Sequence, residues 1–316
     1  MPVGSSDQGV GLGAGDIMLS ADAFYQYIDW RHDQIDVSEP YEHEGTLSTT
    51  IISPKITIGL SDWWNVSFQQ IIGSRHMGWK LNETSKHHRL EGSDTDFLNA
   101  IGGYLGDGRI MFRYLALNTG RGKGSRLFFG LGYLIPSKNT LTKSPFLKEN
   151  SEYLDHRHFS MSQGVQKVVL ETQYFYKKVT NPVFMGMAFK IDEPLLENKY
   201  GFSGSRLIDL TFSIMNNKNN LFKTPYGLNL NISHENEISW NGIFIPNSES
   251  TMITPGIGWF WSSSFAIISL NIQYPFFLDV IMSEGGNKDL NQEASALQMS
   301  LSIRKILDYS IPWLYW

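Results

Sequence analysis

Residues 255–276, PGIGWFWSSSFAIISLNIQYPF, contain two runs in which every second residue has the same character. In the second run an apolar face alternates with a more polar one: Ala266, Ile268, Leu270, Ile272 and Tyr274 against Ile267, Ser269, Asn271 and Gln273. A period of two indicates β-strands. The short serine link at 262–264 between the two runs indicates an antiparallel hairpin.

Two fold classes show this alternation. A soluble sandwich turns its apolar face inward, whereas a transmembrane barrel turns it toward lipid and encloses the polar face. Along the whole chain the polar face carries mostly amides, hydroxyls and glycine, with scattered charges of both signs rather than many lysines. This composition favours the barrel, and the soluble sandwich remains the alternative.

The overall composition agrees with a barrel. Of the 316 residues only 18% are charged, 13% are aromatic, 29 are glycine and none is cysteine. The sequence has no apolar run of about 18 residues, which excludes a transmembrane helix. The absence of cysteine excludes disulfides and thiolate metal sites, and the net charge of −5 argues against a nucleic-acid partner.

The alternation continues through most of the chain. It predicts an all-β fold, a single antiparallel transmembrane β-barrel of about 12 strands with long extracellular loops and short periplasmic turns. We expect a periplasmic N-terminal segment at 1–15, the barrel at 16–306 and a C-terminal tail at 307–316. The polar stretch 94–103 is assigned to a long loop. The N-terminus shows no signal-peptide pattern, so we expect this sequence to be a mature or truncated form.

Several stretches carry a family resemblance. DIMLSADAFYQYIDWRHD at 16–33, IGLSDWW at 58–64, GYLGDGRIMFRYL at 103–115 and GLGYLIPSKN at 130–139 resemble motifs of the outer-membrane barrel family named for the meta-pathway of phenol degradation. That family is distantly similar to transporters of the FadL type. The resemblance implies a bacterial outer-membrane location and the uptake of small hydrophobic or aromatic solutes.

Charged residues on the inward face are the main candidate site. Arg109 and Arg113 lie on one predicted strand at positions of the same parity, so both point into the lumen. The full set is Arg109, Arg113, Lys167, Glu171, Lys190, Asp209 and Glu235. We expect these charges to pair and plug the lumen, because buried charges must be paired. An anion-attracting constriction is the alternative.

Aromatic residues fall into two groups. Those near strand ends, including Trp63, Trp64, Tyr174 and Tyr176, are predicted to form interfacial girdles. Those in the long loops could form an apolar funnel at the outer rim or only pack the loops together: Trp79, Phe97, Phe146 and Tyr153.

Two loop motifs could carry chemistry. The His156-x-His158-x-Ser160 pattern could belong to a rim hydrolase, but no nucleophile motif accompanies it. The first long loop carries potential metal ligands without a fixed spacing: His32, Asp33, Asp36, Glu39, Glu42, His43 and Glu44. We read this loop, and His87–His88, as solvated. No catalytic residue, metal site or cofactor is therefore predicted.

The main functional prediction concerns solute passage. The sequence predicts a monomeric barrel in outer-membrane lipid that passes or binds small, hydrophobic or aromatic solutes. A non-transporting structural or assembly barrel, and less favourably a rim-located hydrolase, are the alternatives.

Overall fold

The computed structural model describes residue 6 and residues 8–32, 43–79, 104–120, 123–142, 160–218, 223–244, 248–278 and 293–314. Within these ranges the chain forms fifteen β-strands and one short 3₁₀ helix at Pro312–Leu314. The strands are β1 (Asp16–His32), β2 (His43–Gly59), β3 (Trp64–Trp79), β4 (Leu105–Asn118), β5 (Gly124–Ile135), β6 (Lys167–Lys177), β7 (Phe184–Pro194), β8 (Leu207–Asn216), β9 (Tyr226–Glu235), β10 (Ser239–Trp240), β11 (Ile243–Phe244), β12 (Ser250–Ser262), β13 (Ile267–Gln273), β14 (Phe276–Phe277) and β15 (Glu293–Ser310).

Twelve of the described strands close into one antiparallel barrel. The order is β1 to β9 in sequence, then β12, β13 and β15, and β15 pairs with β1 to close the wall. β10 and β11 form a small hairpin in the connection between β9 and β12, and β14 extends the sheet beside β12. The predicted fold is confirmed, and the opening sequence stretch is the β12–β13 hairpin, with Trp259 opposite Leu270.

The distribution of apolar residues is that of a membrane barrel. Large apolar side chains on the outer wall are among the most exposed, such as Leu131 at 57% and Leu228 at 59%. Polar side chains of the alternate positions are buried inside, such as Ser67, Gln173 and Asn271. A soluble sandwich would show the reverse arrangement. No helix in the described ranges is long and apolar enough to cross a membrane.

Connections between barrel strands alternate in length around the wall. The β2–β3, β4–β5, β6–β7, β8–β9 and β12–β13 turns define the short-turn end, where β1 also begins and β15 ends. The remaining connections define the long-loop end. Exposed aromatic side chains lie near both ends of the outer wall, for example Trp63, Trp64 and Trp261 near the short turns and Tyr27 and Tyr104 near the long loops. Their positions agree with two interfacial girdles.

The last barrel strand is longer than the sequence predicts. β15 continues to Ser310, four residues beyond the predicted end of the barrel at 306. The extension forms because Asp16, at the start of β1, is the register partner of Ser310, and Ser310 Oγ donates to Asp16 Oδ1 at 3.2 Å. The 307–310 part of the predicted tail is therefore wall.

Candidate functional site

The N-terminal segment, residues 6 and 8–15, enters the lumen from the short-turn end. The backbone amide and hydroxyl of Ser6 donate to the two carboxylate oxygens of Asp22, at 2.9 and 3.0 Å. The Gly9 amide donates to Gln173 Oε1 at 3.0 Å, and Asn65 Nδ2 donates to the Val10 carbonyl at 3.0 Å. The sequence analysis predicted a periplasmic segment at 1–15. Its described residues instead lie inside the barrel, where side chains on β1, β3 and β6 form hydrogen bonds with its backbone.

Gly59, at the short-turn end of β2, is a point of close contact between this segment and the barrel wall. A Cβ atom at Gly59 would overlap the carbonyl oxygen of Gly13 and would lie 3.1 Å from Leu12 Cβ. The Gly15 amide donates to the Gly59 carbonyl at 2.8 Å, and Leu12 is only 2% exposed. Glycine is needed at position 59 because the N-terminal backbone occupies the space that any side chain would fill.

The long-loop end of the lumen is also covered. The described parts of the β5–β6 connection, 136–142 and 160–166, pack over the barrel, with Asn139 and Val165 buried. Gln163 Nε2 donates to Ser205 Oγ at 2.8 Å, and Lys167 Nζ donates to the Ser205 carbonyl at 2.6 Å. The predicted lumen cation Lys167 thus supports this covering layer of loops rather than the centre of the lumen.

A cavity of about 340 Å³ lies between the two coverings. Gln8 of the N-terminal segment contributes to its lining. Five of the seven predicted lumen residues also line it: Arg109, Arg113, Glu171, Lys190 and Asp209. Its volume falls in the lower part of the range typical of small-molecule sites. Among the described residues, the lumen that the sequence analysis expected to be partly plugged thus contains a polar chamber between two covering segments.

Two ion pairs organise the charged side of this chamber. Arg113 pairs with Glu171, with Nε 2.6 Å from Oε1, and both side chains are 8% exposed. Arg109 pairs with Asp192, with Nη2 2.7 Å from Oδ2. Lys190 lies 3.9 Å from that same oxygen. Arg109, Arg113 and Lys190 therefore each lie within ion-pair distance of a carboxylate, and Glu171, the partner of Arg113, is one of the three anions in the predicted set.

Asp192 is a partner that the sequence analysis missed. It follows Lys190 by two positions on β7, so its parity already places it on the inward face. β7 continues to Pro194, so Asp192 lies within the strand. Asp22 and Lys55 lie on the polar face of the predicted strands but outside the predicted site, and they form a looser pair at 3.6 Å between β1 and β2.

Asp209 and Glu235, the other predicted anions, do not pair with Arg109 or Arg113. Asp209 Oδ1 accepts from Asn231 Nδ2 at 2.8 Å and from Thr211 Oγ1 at 3.3 Å. Glu235 lies at the long-loop end of β9 and is not part of the chamber lining. The two residues therefore belong to different layers of the barrel.

The other half of the chamber wall is neutral. Asn229 Nδ2 donates to Asn271 Oδ1 at 2.8 Å, and Gln273 Nε2 donates to Asn229 Oδ1 at 2.9 Å. Gln298 and Ser300 of β15 complete this side. The chamber thus has a charged arc on β1 to β8 and an amide arc on β9 to β15.

One exposed ion pair lies outside the chamber. Arg206 donates to both carboxylate oxygens of Glu193, one of them at 2.7 Å. This hydrogen bonding raises the pKa of Arg206, whose side chain is about half exposed. The pair joins the β7–β8 connection to the end of β7.

Several sequence predictions lie outside what the structure describes. The side chains of all four rim aromatics, Trp79, Phe97, Phe146 and Tyr153, are outside the described residues, as are those of the first-loop carboxylates and histidines, His87, His88, His156 and His158. Ser160 is described, and its carbonyl accepts from Arg75 Nη1 at 3.0 Å. The funnel and the hydrolase hypotheses therefore stay predictions.

Comparison with known proteins shows the fold. No protein-family model and no curated protein sequence matches the chain. The crystal structure of an outer membrane channel from Pseudomonas putida F1 is similar over 95% of this chain and 99% of its own, with a TM-score of 0.57 and 11% identity. The TodX monoaromatic hydrocarbon channel aligns over 94% of this chain and 92% of its own, with a TM-score of 0.44 and 11% identity. Only the first similarity supports an inference, which is that this chain has the fold of an outer-membrane channel.

Proposed function

We propose that this chain is a monomeric bacterial outer-membrane channel for small solutes, and that the structure is its closed state. The observation that carries the proposal is the polar chamber in the middle of the barrel, covered by the N-terminal segment at one end and by loops at the other. A barrel of about twelve strands has an interior between the side-chain-filled and the porin-wide classes. Such an interior can hold a small solute without forming a wide aqueous pore.

The N-terminal segment is suited to act as the movable covering. Three of its hydrogen bonds to Asp22 and Gln173 can be exchanged for bonds to water, so releasing it costs little compared with breaking a barrel strand. Its glycines at 9, 11, 13 and 15 keep the backbone narrow. Release of this segment would leave the barrel wall intact and connect the chamber with the short-turn end.

The solute class has two sources of support. The family resemblance implies a hydrophobic or aromatic solute, and three chamber residues, Phe24, Met111 and Ala188, are apolar. The rest of the lining is charged, amide or hydroxyl. We therefore propose solutes of small size with both an apolar and a polar part.

A structural barrel that transports nothing is the second candidate, because the chamber is covered at both ends in this structure. Liposome swelling separates the two candidates. The full chain and a variant lacking residues 1–12 are reconstituted at equal density, with protein-free liposomes as the control for leakage, and arabinose and benzamide are used as uncharged probes. We expect slow swelling with the full chain and faster swelling with the deletion variant. No swelling with either protein supports the structural barrel, and rapid swelling with the full chain contradicts a closed state.

A further inference from the structure

Arg109 and Lys190 share one carboxylate oxygen, Asp192 Oδ2, at 2.7 and 3.9 Å. Asp192 is almost buried, with 5% of its side chain exposed, whereas the side chains of Arg109 and Lys190 are 23% and 24% exposed. Both cations line the chamber, and Asp192 lies behind them. At this point the wall therefore exposes two cations, Arg109 and Lys190, to the chamber. Their shared anion, Asp192, is not part of the chamber lining.

The other cations of the lining each have a carboxylate of their own within ion-pair distance, Asp22 for Lys55 and Glu171 for Arg113. The side chains of Arg113 and Glu171 are equally buried. Among the described side chains, Lys190 Nζ is within ion-pair distance of no carboxylate except Asp192, although Glu171 and Asp209 are its register partners on the neighbouring strands. Asp209 is instead oriented by Asn231 and Thr211. Arg109 and Lys190 are consequently the two lining cations that share a single carboxylate.

Apolar surface lies directly next to these cations. β4 runs toward the short-turn end and β7 runs away from it, so Met111 and Ala188 each lie one inward position closer to the short turns than Arg109 and Lys190. Gly132, the register partner of Met111 on β5, leaves room for the Met111 side chain, because a Cβ at Gly132 would overlap the Met111 sulfur. The chamber thus has two apolar side chains next to two cations, on the side toward the short turns.

We propose that the chamber binds small amphiphilic carboxylates, with the carboxylate between Arg109 and Lys190 and the apolar body against Met111 and Ala188. Arg109 and Lys190 share the carboxylate of Asp192 in this structure, and the bound solute would supply a second carboxylate. Guanidinium and ammonium groups form strong charge-assisted hydrogen bonds with carboxylates. The proposal deepens the proposed channel function by naming its solute class.

Equilibrium dialysis on the full chain in detergent tests this site. Benzoate, benzamide and benzylamine are the probes because they share one ring and differ in charge. Lys190→Gln is the test variant, since it leaves the Arg109–Asp192 pair in place, and Lys190→Arg keeps the positive charge. Arg206→Gln is the matched control, because it also removes a cation next to a carboxylate but lies outside the chamber.

We expect benzoate to bind about tenfold more tightly than benzamide, and benzylamine to bind least. Lys190→Gln should weaken benzoate binding about tenfold and leave benzamide unchanged, while Lys190→Arg and Arg206→Gln should bind benzoate as the wild type does. Equal affinities for the three probes, or equal benzoate binding by Lys190→Gln and Arg206→Gln, overturn the proposal. Failure of every probe to bind also overturns it, without deciding the channel function, which liposome swelling tests with uncharged solutes.

Discussion

Arg113 donates two hydrogen bonds to Glu171 across the full width of β5, from Nε to Oε1 at 2.6 Å and from Nη2 to Oε2 at 3.3 Å. The residue between them in the register is Gly130, and a Cβ there would lie 3.1 Å from Glu171 Oε1. The pair therefore depends on the missing side chain at position 130. The ion pair connects β4 with β6 across β5 on the inner face of the barrel.

Removing one member of this pair should destabilise the barrel strongly. Arg113→Ala leaves the Glu171 carboxylate buried without its guanidinium, and we expect a loss of about 3–5 kcal/mol in the free energy of unfolding. The double variant Arg113→Met/Glu171→Leu should lose less, because neither charge remains. Urea unfolding of the refolded protein in lipid measures both. Equal stability of Arg113→Ala and the wild type would show that the pair contributes nothing.

The outer wall should reject charge. Leu270 lies on the outward face of β13, alternating with the buried Ser269 and Asn271. Leu270→Arg should cost about 2–4 kcal/mol if position 270 is near the bilayer midplane. Leu270→Ala, which changes size without adding charge, is the control in the same folding assay. A Leu270→Arg variant that folds into liposomes as well as Leu270→Ala contradicts the placement of this face in lipid.

The long-loop end should face the outside of the cell and the short-turn end the periplasm. The chain has no cysteine, so single-cysteine variants can report the two ends without further changes. Glu197→Cys in the β7–β8 connection should react with an impermeant maleimide on intact cells. Ser264→Cys in the β12–β13 turn should react only after the outer membrane is opened. Labelling of Ser264→Cys alone on intact cells reverses the orientation.

The sequence predicts the wall of this barrel better than its contents. Alternation along 266–274 is enough to assign both faces of β13, because side-chain direction in a strand depends only on parity. The position of the N-terminal segment could not be predicted, since its partners Asp22, Asn65 and Gln173 come from three separate strands. A glycine-rich segment without apolar periodicity gives no local signal of where it binds.

The charged network was predictable only in part for a similar reason. The inward direction of Arg109 follows from parity, but its partner Asp192 lies on β7, three strands away in the barrel order. To predict which inward carboxylate pairs with Arg109, one must know the register of every strand between β4 and the strand that carries the carboxylate. The wrong end assigned to the last strand has a different cause, because the pairing of Asp16 with Ser310 extends β15 beyond its apolar alternation.

Planar-bilayer recording of Gly59→Ala tests most directly whether the N-terminal segment closes the lumen. The backbone of Gly59 needs no special conformation, so the added methyl group acts through its overlap with the Gly13 carbonyl. Gly108→Ala on β4 is the matched control, because its added Cβ would come no closer than 3.5 Å to any neighbour. We expect small or absent current for the wild type and for Gly108→Ala, and longer or larger openings for Gly59→Ala. Identical current for all three proteins, with Gly59→Ala folded, would contradict closure by the N-terminal segment.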